Sequence, residues 1–246
     1  MTRPAWSLAL ASLLIGLAAG GAEAGESVCW IQNGVLLVPA VAAGVNGVFI
    51  LDTGAAHSQL DATQASEVDI ADPAVTADVR LANRRFSAVS MQVVALDDRT
   101  RAFPTPISGV LGADVLAGQV LAVRPSPCRL SLTPSRPGLR RGLPVTLRNG
   151  APFIQAGVSD GMHTATGAFR IDTGSPAGAA IAGGPVTAPN HRLRALSFGG
   201  QLFEDVTALS GAEAGDGASG TLGEPIWSRF ILRLDFGNRT LGLRER

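Results

Sequence analysis

Charge is scarce in this chain. Only 16% of its 246 residues are Asp, Glu, Lys or Arg, and the formal net charge is zero. The charges are scattered, which excludes both a basic nucleic-acid face and a solvated single-sign tail. Hydrophobic residues make up 46%, so the chain is not disordered either. Lysine is absent, all basic side chains being Arg. Residues 211–220, rich in glycine and carrying Glu213 and Asp216, therefore lack the cation of a phosphate loop and read as a flexible connection. Histidine occurs three times. His57 follows Asp52 closely but has no third ligand at useful spacing, and His163 and His191 fall in loops, so neither a metal nor another cofactor is expected. No Gly-x-Ser-x-Gly elbow frames Ser58 or Ser175, which argues against a serine nucleophile. Trp30 and Trp227 read as core or interface residues.

Beyond the N-terminus no apolar run is long enough to cross a bilayer. At the N-terminus, Arg3 precedes an apolar run over 5–19 and the small-residue site Ala22-Glu23-Ala24. This reads as a signal peptide over residues 1–24, giving an exported protein, periplasmic or secreted, with no membrane span in the mature chain. An uncleaved anchor is the alternative. Cysteine occurs only twice, at Cys29 and Cys128. In an exported chain this suggests a disulfide, the alternative being two buried thiols. Thirty Gly and fifteen Pro favour short strands and many turns, an all-β reading.

What the sequence does contain is a repeat. Asp52-Thr53-Gly54 and Asp172-Thr173-Gly174 each end an apolar run, Val48-Phe49-Ile50-Leu51 and Ala168-Phe169-Arg170-Ile171. Each is preceded by an Asn-Gly pair, Asn33-Gly34 and Asn149-Gly150. Each is followed by a hairpin, 81–89 aligned with 198–206, that keeps Phe86 opposite Phe203. Gly109-Val110-Leu111-Gly112 then pairs with Gly220-Thr221-Leu222-Gly223, and from there the halves align without a gap to Leu132 and Leu243. Short helices are predicted after each Gly-x-Leu-Gly, over 113–117 and 224–229. The Pro/Gly/Arg stretch 134–142 reads as a linker between halves 25–133 and 143–246.

A strand ending in Asp-Thr-Gly presents a carboxylate on a tight loop that glycine permits and a threonine hydroxyl can lock. One copy is weak evidence. Two copies at equivalent places in related halves can meet across a pseudo-two-fold axis, giving two carboxylates that share one proton. Such a pair supplies a general base for a water and a general acid for what the water attacks.

These motifs, Leu51-Asp52-Thr53-Gly54-Ala55 and Ile171-Asp172-Thr173-Gly174-Ser175 with Val110-Leu111-Gly112 and Thr221-Leu222-Gly223, resemble the pepsin–retropepsin superfamily of aspartic proteases. They resemble most its small bacterial retropepsin-like members, here with two lobes fused in one chain. The resemblance implies two pseudo-symmetric β-barrel lobes with the active site between them. It implies an aspartic endopeptidase in which Asp52 and Asp172 are catalytic and Thr53, Gly54, Ala55, Thr173, Gly174 and Ser175 support them. Gly112 and Gly223 would back the loops. Asn83, Arg84, Gly199 and Gly200 would be the tips of flaps closing over an extended peptide or protein substrate. A Cys29–Cys128 bridge would join the first and last strands of the N-terminal lobe, with Val145 and Arg239 at the equivalent positions of the other. One chain carries both loops, so a monomer would suffice. The chain departs from pepsins in having no tyrosine, hence no flap Tyr, and in the semi-polar Thr221. A catalytically silent peptide-binding or regulatory module on the same fold is the alternative. Ser175, with Ala55 opposite, is expected to donate to Asp172 and draw the shared negative charge there.

Overall fold

The computed structural model describes residues 25–139, 141–162, 164–182, 191–212 and 215–245. The proposed signal peptide, His163 and Glu213 lie outside these residues. The first half runs β1 (Gly25–Val28), β2 (Trp30–Gln32), β3 (Val35–Ala42), β4 (Val45–Leu51), β5 (Gln59–Asp61), α1 (Ala62–Ser66), β6 (Ala74–Leu81), β7 (Arg84–Val94), α2 (Asp97–Thr100), β8 (Ile107–Leu111), α3 (Ala113–Leu116), β9 (Gln119–Pro125) and β10 (Cys128–Pro134). The second runs β11 (Leu143–Pro144), β12 (Thr146–Arg148), β13 (Ala151–Ser159), β14 (Thr164–Asp172), β15 (Ala179–Ala182), β16 (His191–Leu193), β17 (Ala195–Phe198), β18 (Gln201–Phe203), β19 (Val206–Ala212), β20 (Gly220–Gly223), α4 (Glu224–Trp227), β21 (Phe230–Asp235) and β22 (Thr240–Glu245). Among the described residues the architecture is all-β with a few short helices.

Each half forms its own curled sheet, β2–β8 in the first and β12–β20 in the second. In both, the strand that leads into Asp-Thr-Gly lies parallel to the Gly-x-Leu-Gly strand, pairing Leu51 with Leu111 and Ile171 with Leu222. Parallel strands covered on both faces need near-continuous apolar sequence. Phe49, Ile50, Leu51, Phe169 and Ile171 are accordingly fully buried. The leading glycine of Gly-x-Leu-Gly makes room for an aromatic ring. A Cβ on Gly109 would lie 2.9 Å from the Phe49 ring, and one on Gly220 2.7 Å from Phe169.

A third sheet joins the halves. Its six strands run β1-β10-β9-β21-β22-β11, an order that reads the same from either end once repeat partners are matched. Its central register pairs Ala122 with Arg233, the residue that aligns with it in the repeat, flanked by Leu121–Leu234 and Val123–Leu232. A pseudo-two-fold axis therefore passes through the Ala122–Arg233 pair. The same symmetry governs the edges, where Cys29 N–H donates to Cys128 O at 3.4 Å and Val145 N–H donates to Arg239 O at 2.9 Å. The first of these positions carries a disulfide, with Cα atoms 5.0 Å apart. Burial of Leu121, Leu132, Leu232, Leu234 and Leu241 ties this sheet to the main core.

The two predicted flap hairpins form where the alignment placed them, with turns at Ala82-Asn83 and Gly199-Gly200. Their position differs from the expectation. Asn83 Nδ2 donates to Glu26 O at 3.3 Å, and a Cβ on Gly25 would strike Ala82 O. A Cβ on Gly199 would strike the Leu143 side chain. Both tips are thus docked on β1 and β11, the edge strands of the shared sheet. The physical reason lies in the pairing: β7, which follows the first turn, and β19, which follows the second after the short β18, run parallel to β5 and β15 within their own sheets. This commits each turn to the far end of its sheet. Asn83, Arg84, Gly199 and Gly200 are therefore hairpin-tip residues, not lids on the aspartates.

Candidate active site

Asp52 directly follows β4, and Asp172 is the last residue of β14. The shared sheet brings their loops face to face. A Cβ on Gly54 would collide with the Asp172 carboxyl, and one on Gly174 with the Asp52 carboxyl. Glycine is thus required at both places because the opposite aspartate occupies the room. The threonines interlock. Thr53 N–H donates to Thr173 Oγ1 and Thr173 N–H to Thr53 Oγ1, both at 3.2 Å. Each hydroxyl donates onward, Thr53 to Ile171 O at 2.7 Å and Thr173 to Leu51 O at 2.6 Å. Both buried hydroxyls thus donate and accept, which fixes the loops relative to each other.

Two glycines lie close against the loops. Gly112 leaves room for Ala55 O at 2.8 Å, and Gly223 for Ala177 O, where any side chain would clash. Ala113 N–H donates to Ala55 O at 2.8 Å and Glu224 N–H to Ser175 O at 3.0 Å, again in pseudo-symmetric places. Ser58 is buried and structural. Its hydroxyl donates to Asp114 Oδ1 at 2.7 Å and accepts from Gly112 N–H at 3.0 Å. His57 is exposed, and Trp227 is a core residue whose indole donates to Leu222 O at 2.7 Å.

The two carboxyls differ in their surroundings. Asp52 Oδ1 accepts from Gly54 N–H at 2.8 Å and Ala55 N–H at 2.9 Å, while Oδ2 pairs with the Arg99 guanidinium. Asp172 Oδ1 accepts from Gly174 N–H at 2.9 Å. Asp172 is half-buried. Burial, then the charge of Asp52 and the hydrogen bond to it, raise the Asp172 carboxyl well above the usual carboxylate range, against the pull of Arg99 and Gly174 N–H. Of the two carboxyls, Asp52 is the one that carries the Arg99 cation. The donation expected from Ser175 to Asp172 is not seen. Among the described residues Ser175 makes no hydrogen bond to Asp172, and the nearby cation stands on the other carboxyl.

Two residues of the site carry no motif. Arg99, on α2, reaches across the loops to Asp52 and also donates to Gly174 O at 3.1 Å. A signal for it does exist in the repeat. Val89 to Gly109 spans 20 positions where the aligned Val206 to Gly220 spans 14, so the Arg99 segment is an insertion. Glu224 follows Gly223 where the first half has Ala113. It is buried, its Oε2 has no hydrogen-bond partner among the described residues, and burial followed by the charge of Asp172 raises its carboxyl to about 8. No cluster of three or more His, Cys, Asp or Glu that could hold a metal ion occurs among the described residues.

No protein-family model matches the chain, and no curated protein matches it. Solved structures do match. An aspartic proteinase from Irpex lacteus superposes over 91% of this chain and 97% of its own, with a TM-score of 0.55 and 16% sequence identity. The fold is that of a pepsin-like aspartic proteinase. At this identity the likeness concerns the path of the chain.

Proposed function

We propose that this chain is an exported aspartic endopeptidase in which Asp52 and Asp172 activate a water against a peptide bond. The observation that carries this reading is the facing pair itself: two carboxyls on interlocked loops, one beside a guanidinium and the other raised by burial and by its neighbour. The ionised member is the base that takes a proton from water, and the protonated member is the acid that donates to the carbonyl oxygen of the substrate. Thr53, Gly54, Ala55, Thr173, Gly174 and Ser175 shape the loops, and Gly112 and Gly223 back them. No metal and no covalent intermediate enters this scheme.

Kinship with the small bacterial retropepsin-like proteases is part of the proposal, on the strength of the Asp-Thr-Gly-Ala and Asp-Thr-Gly-Ser motifs and the short lobes, 25–133 and 143–246. Both loops come from one polypeptide, so the monomer is the active unit and specific activity should not fall on dilution. A periplasmic or secreted location is supported by the N-terminal signal pattern and by the Cys29–Cys128 disulfide, which persists in oxidising compartments. Among the described residues no helix is long and apolar enough to cross a membrane.

The test is digestion of a denatured protein mixture across pH, with and without a statine-type peptide, alongside Asp52→Asn and Asp172→Asn. Cleavage by the parent protein alone, blocked by the statine peptide, is the expected result. Turnover that persists in a folded Asp52→Asn protein would falsify the assignment. One observation favours the second reading, a silent binding module: Arg99 already occupies Asp52. That reading requires that no Arg99 variant hydrolyses peptides.

A further inference from the structure

We propose that residues 96–103 form an internal strap that holds the site in a latent state, with the Arg99 guanidinium standing on Asp52 where substrate and water must enter. The proposal rests on reading Asp52 and Asp172 as the catalytic pair.

The first argument is one of access. A general base needs an acceptor atom open to the water it deprotonates. Asp52 Oδ1 accepts from Gly54 and Ala55 N–H, and the Arg99 guanidinium stands on Oδ2. The same Nη2 that meets Asp52 donates to Gly174 O at 3.1 Å, so one guanidinium nitrogen bridges the two loops. A Cβ on Gly174 would meet the Asp52 carboxyl first and this nitrogen at 2.6 Å, so Arg99 and Asp52 together fill the space beside that glycine. A peptide cannot lie across both loops with this group in place. A guanidinium binds an anion more strongly than a neutral acid, so this contact favours the ionised form of Asp52, the form the reaction needs.

The second argument is that the strap is fastened at its ends and loose in the middle. Leu96 is buried, and its N–H donates to Asp61 Oδ2 at 3.2 Å. Leu96 packs with Phe103, Val35, Leu37 and Ile50 in a small apolar cluster. Asn33 Nδ2 donates to Ala102 O at 3.0 Å. Between these anchors Asp97, Asp98 and Arg101 are exposed, and α2 is a single turn. The Arg99 side chain itself is 35% exposed against 5% for Asp52. Swinging Arg99 out therefore breaks its two contacts and leaves the anchors intact. The insertion has no counterpart in the other half. The hairpin tips are docked elsewhere, and among the described residues the strap reaches the pair through Arg99.

Arg99→Ala and Arg99→Lys decide the question. Charge-assisted hydrogen bonds are among the stronger single contacts, so releasing this one should matter at least about tenfold. Expected for Arg99→Ala is a statine peptide bound about tenfold tighter by calorimetry and a comparable rise in kcat/KM, with Arg99→Lys in between. Equal or weaker binding and turnover in Arg99→Ala overturns the strap and makes Arg99 a positioning residue or a bystander. If neither the parent nor the Ala variant binds or cleaves, the protease reading fails instead. The strap is then judged by amide hydrogen exchange of residues 97–103 in Asp52→Asn, which removes the anion. Exchange faster by about tenfold supports the docked strap, since local opening tracks the contacts that hold it. Unchanged exchange overturns it.

Discussion

Thr53 and Thr173 each accept the backbone N–H of the other at 3.2 Å, and each passes its own hydroxyl proton to a carbonyl of the opposite strand. Two buried side chains thereby join the halves at the point where the aspartates meet. Replacing Thr53 with Val removes an acceptor from Thr173 N–H and a donor from Ile171 O. Leaving buried groups unsatisfied costs about 1–3 kcal/mol each, so Thr53→Val should lose roughly 2–6 kcal/mol in urea denaturation. Thr173→Val should behave alike, and the double variant should lose less than the sum, because the pair is one network.

Asp52→Asn and Asp172→Asn should each lower kcat/KM by on the order of a thousandfold or more, and the double variant should be little worse, because the two carboxyls act as one unit. Thermal unfolding should remain cooperative in each. Additive losses would mean that the two carboxyls work independently.

Glu224 sets a pH dependence of stability whose sign is fixed. Its carboxyl titrates at 4.5 in the unfolded chain and at about 8 in the folded one, chiefly because it is buried. Below the unfolded value both states carry the proton and nothing is lost. Between the two values the unfolded chain ionises while the folded one does not, so stability falls as pH rises, by up to about 1.4 kcal/mol per pH unit from this group. Glu224→Gln should remove that decline, so the stability gap over the parent should widen from mildly acidic pH to about 8. Parallel stability curves would show that Glu224 does not hold its proton on folding.

The pH profile of hydrolysis should be bell-shaped, with the alkaline limb following loss of the Asp172 proton. Because burial and Asp52 raise Asp172, that limb should lie well above the ordinary carboxylate range. Ser175→Ala should leave the acidic limb in place, since the hydroxyl makes no hydrogen bond to Asp172. A moved limb would place the Ser175 hydroxyl on the pair.

The Cys29–Cys128 bridge closes a separation of 99 residues. In the chain-entropy model a loop of that length contributes about 4–5 kcal/mol, so Cys29→Ser with Cys128→Ser should lower stability by about that amount. The comparison is denaturation of the oxidised parent against the double variant. A loss below about 1 kcal/mol would mean the unfolded chain is already held together near those residues.

The sequence by itself determined what depends on local pattern and on the repeat. Two apolar strands had to end in Asp-Thr-Gly, two Gly-x-Leu-Gly segments had to back them, and hairpins had to turn near Asn83-Arg84 and at Gly199-Gly200. Strand periodicity and glycine's backbone freedom act over a few residues, and duplication made each weak signal visible twice. The placement of Cys29 beside Cys128 followed from the same logic, through the resemblance those motifs carry. Only the tertiary structure decided where the hairpin tips go, because that depends on which sheet edge their strands join. It also decided which carboxyl meets a cation. Ser175 is near Asp172 in sequence but not bonded to it in space, whereas Arg99, 47 positions from Asp52, lands on the pair by way of an insertion with no repeat counterpart. Electrostatics at a buried site is set by through-space neighbours, and neither the reach of Arg99 nor the burial of Glu224 is written in the spacing of the chain.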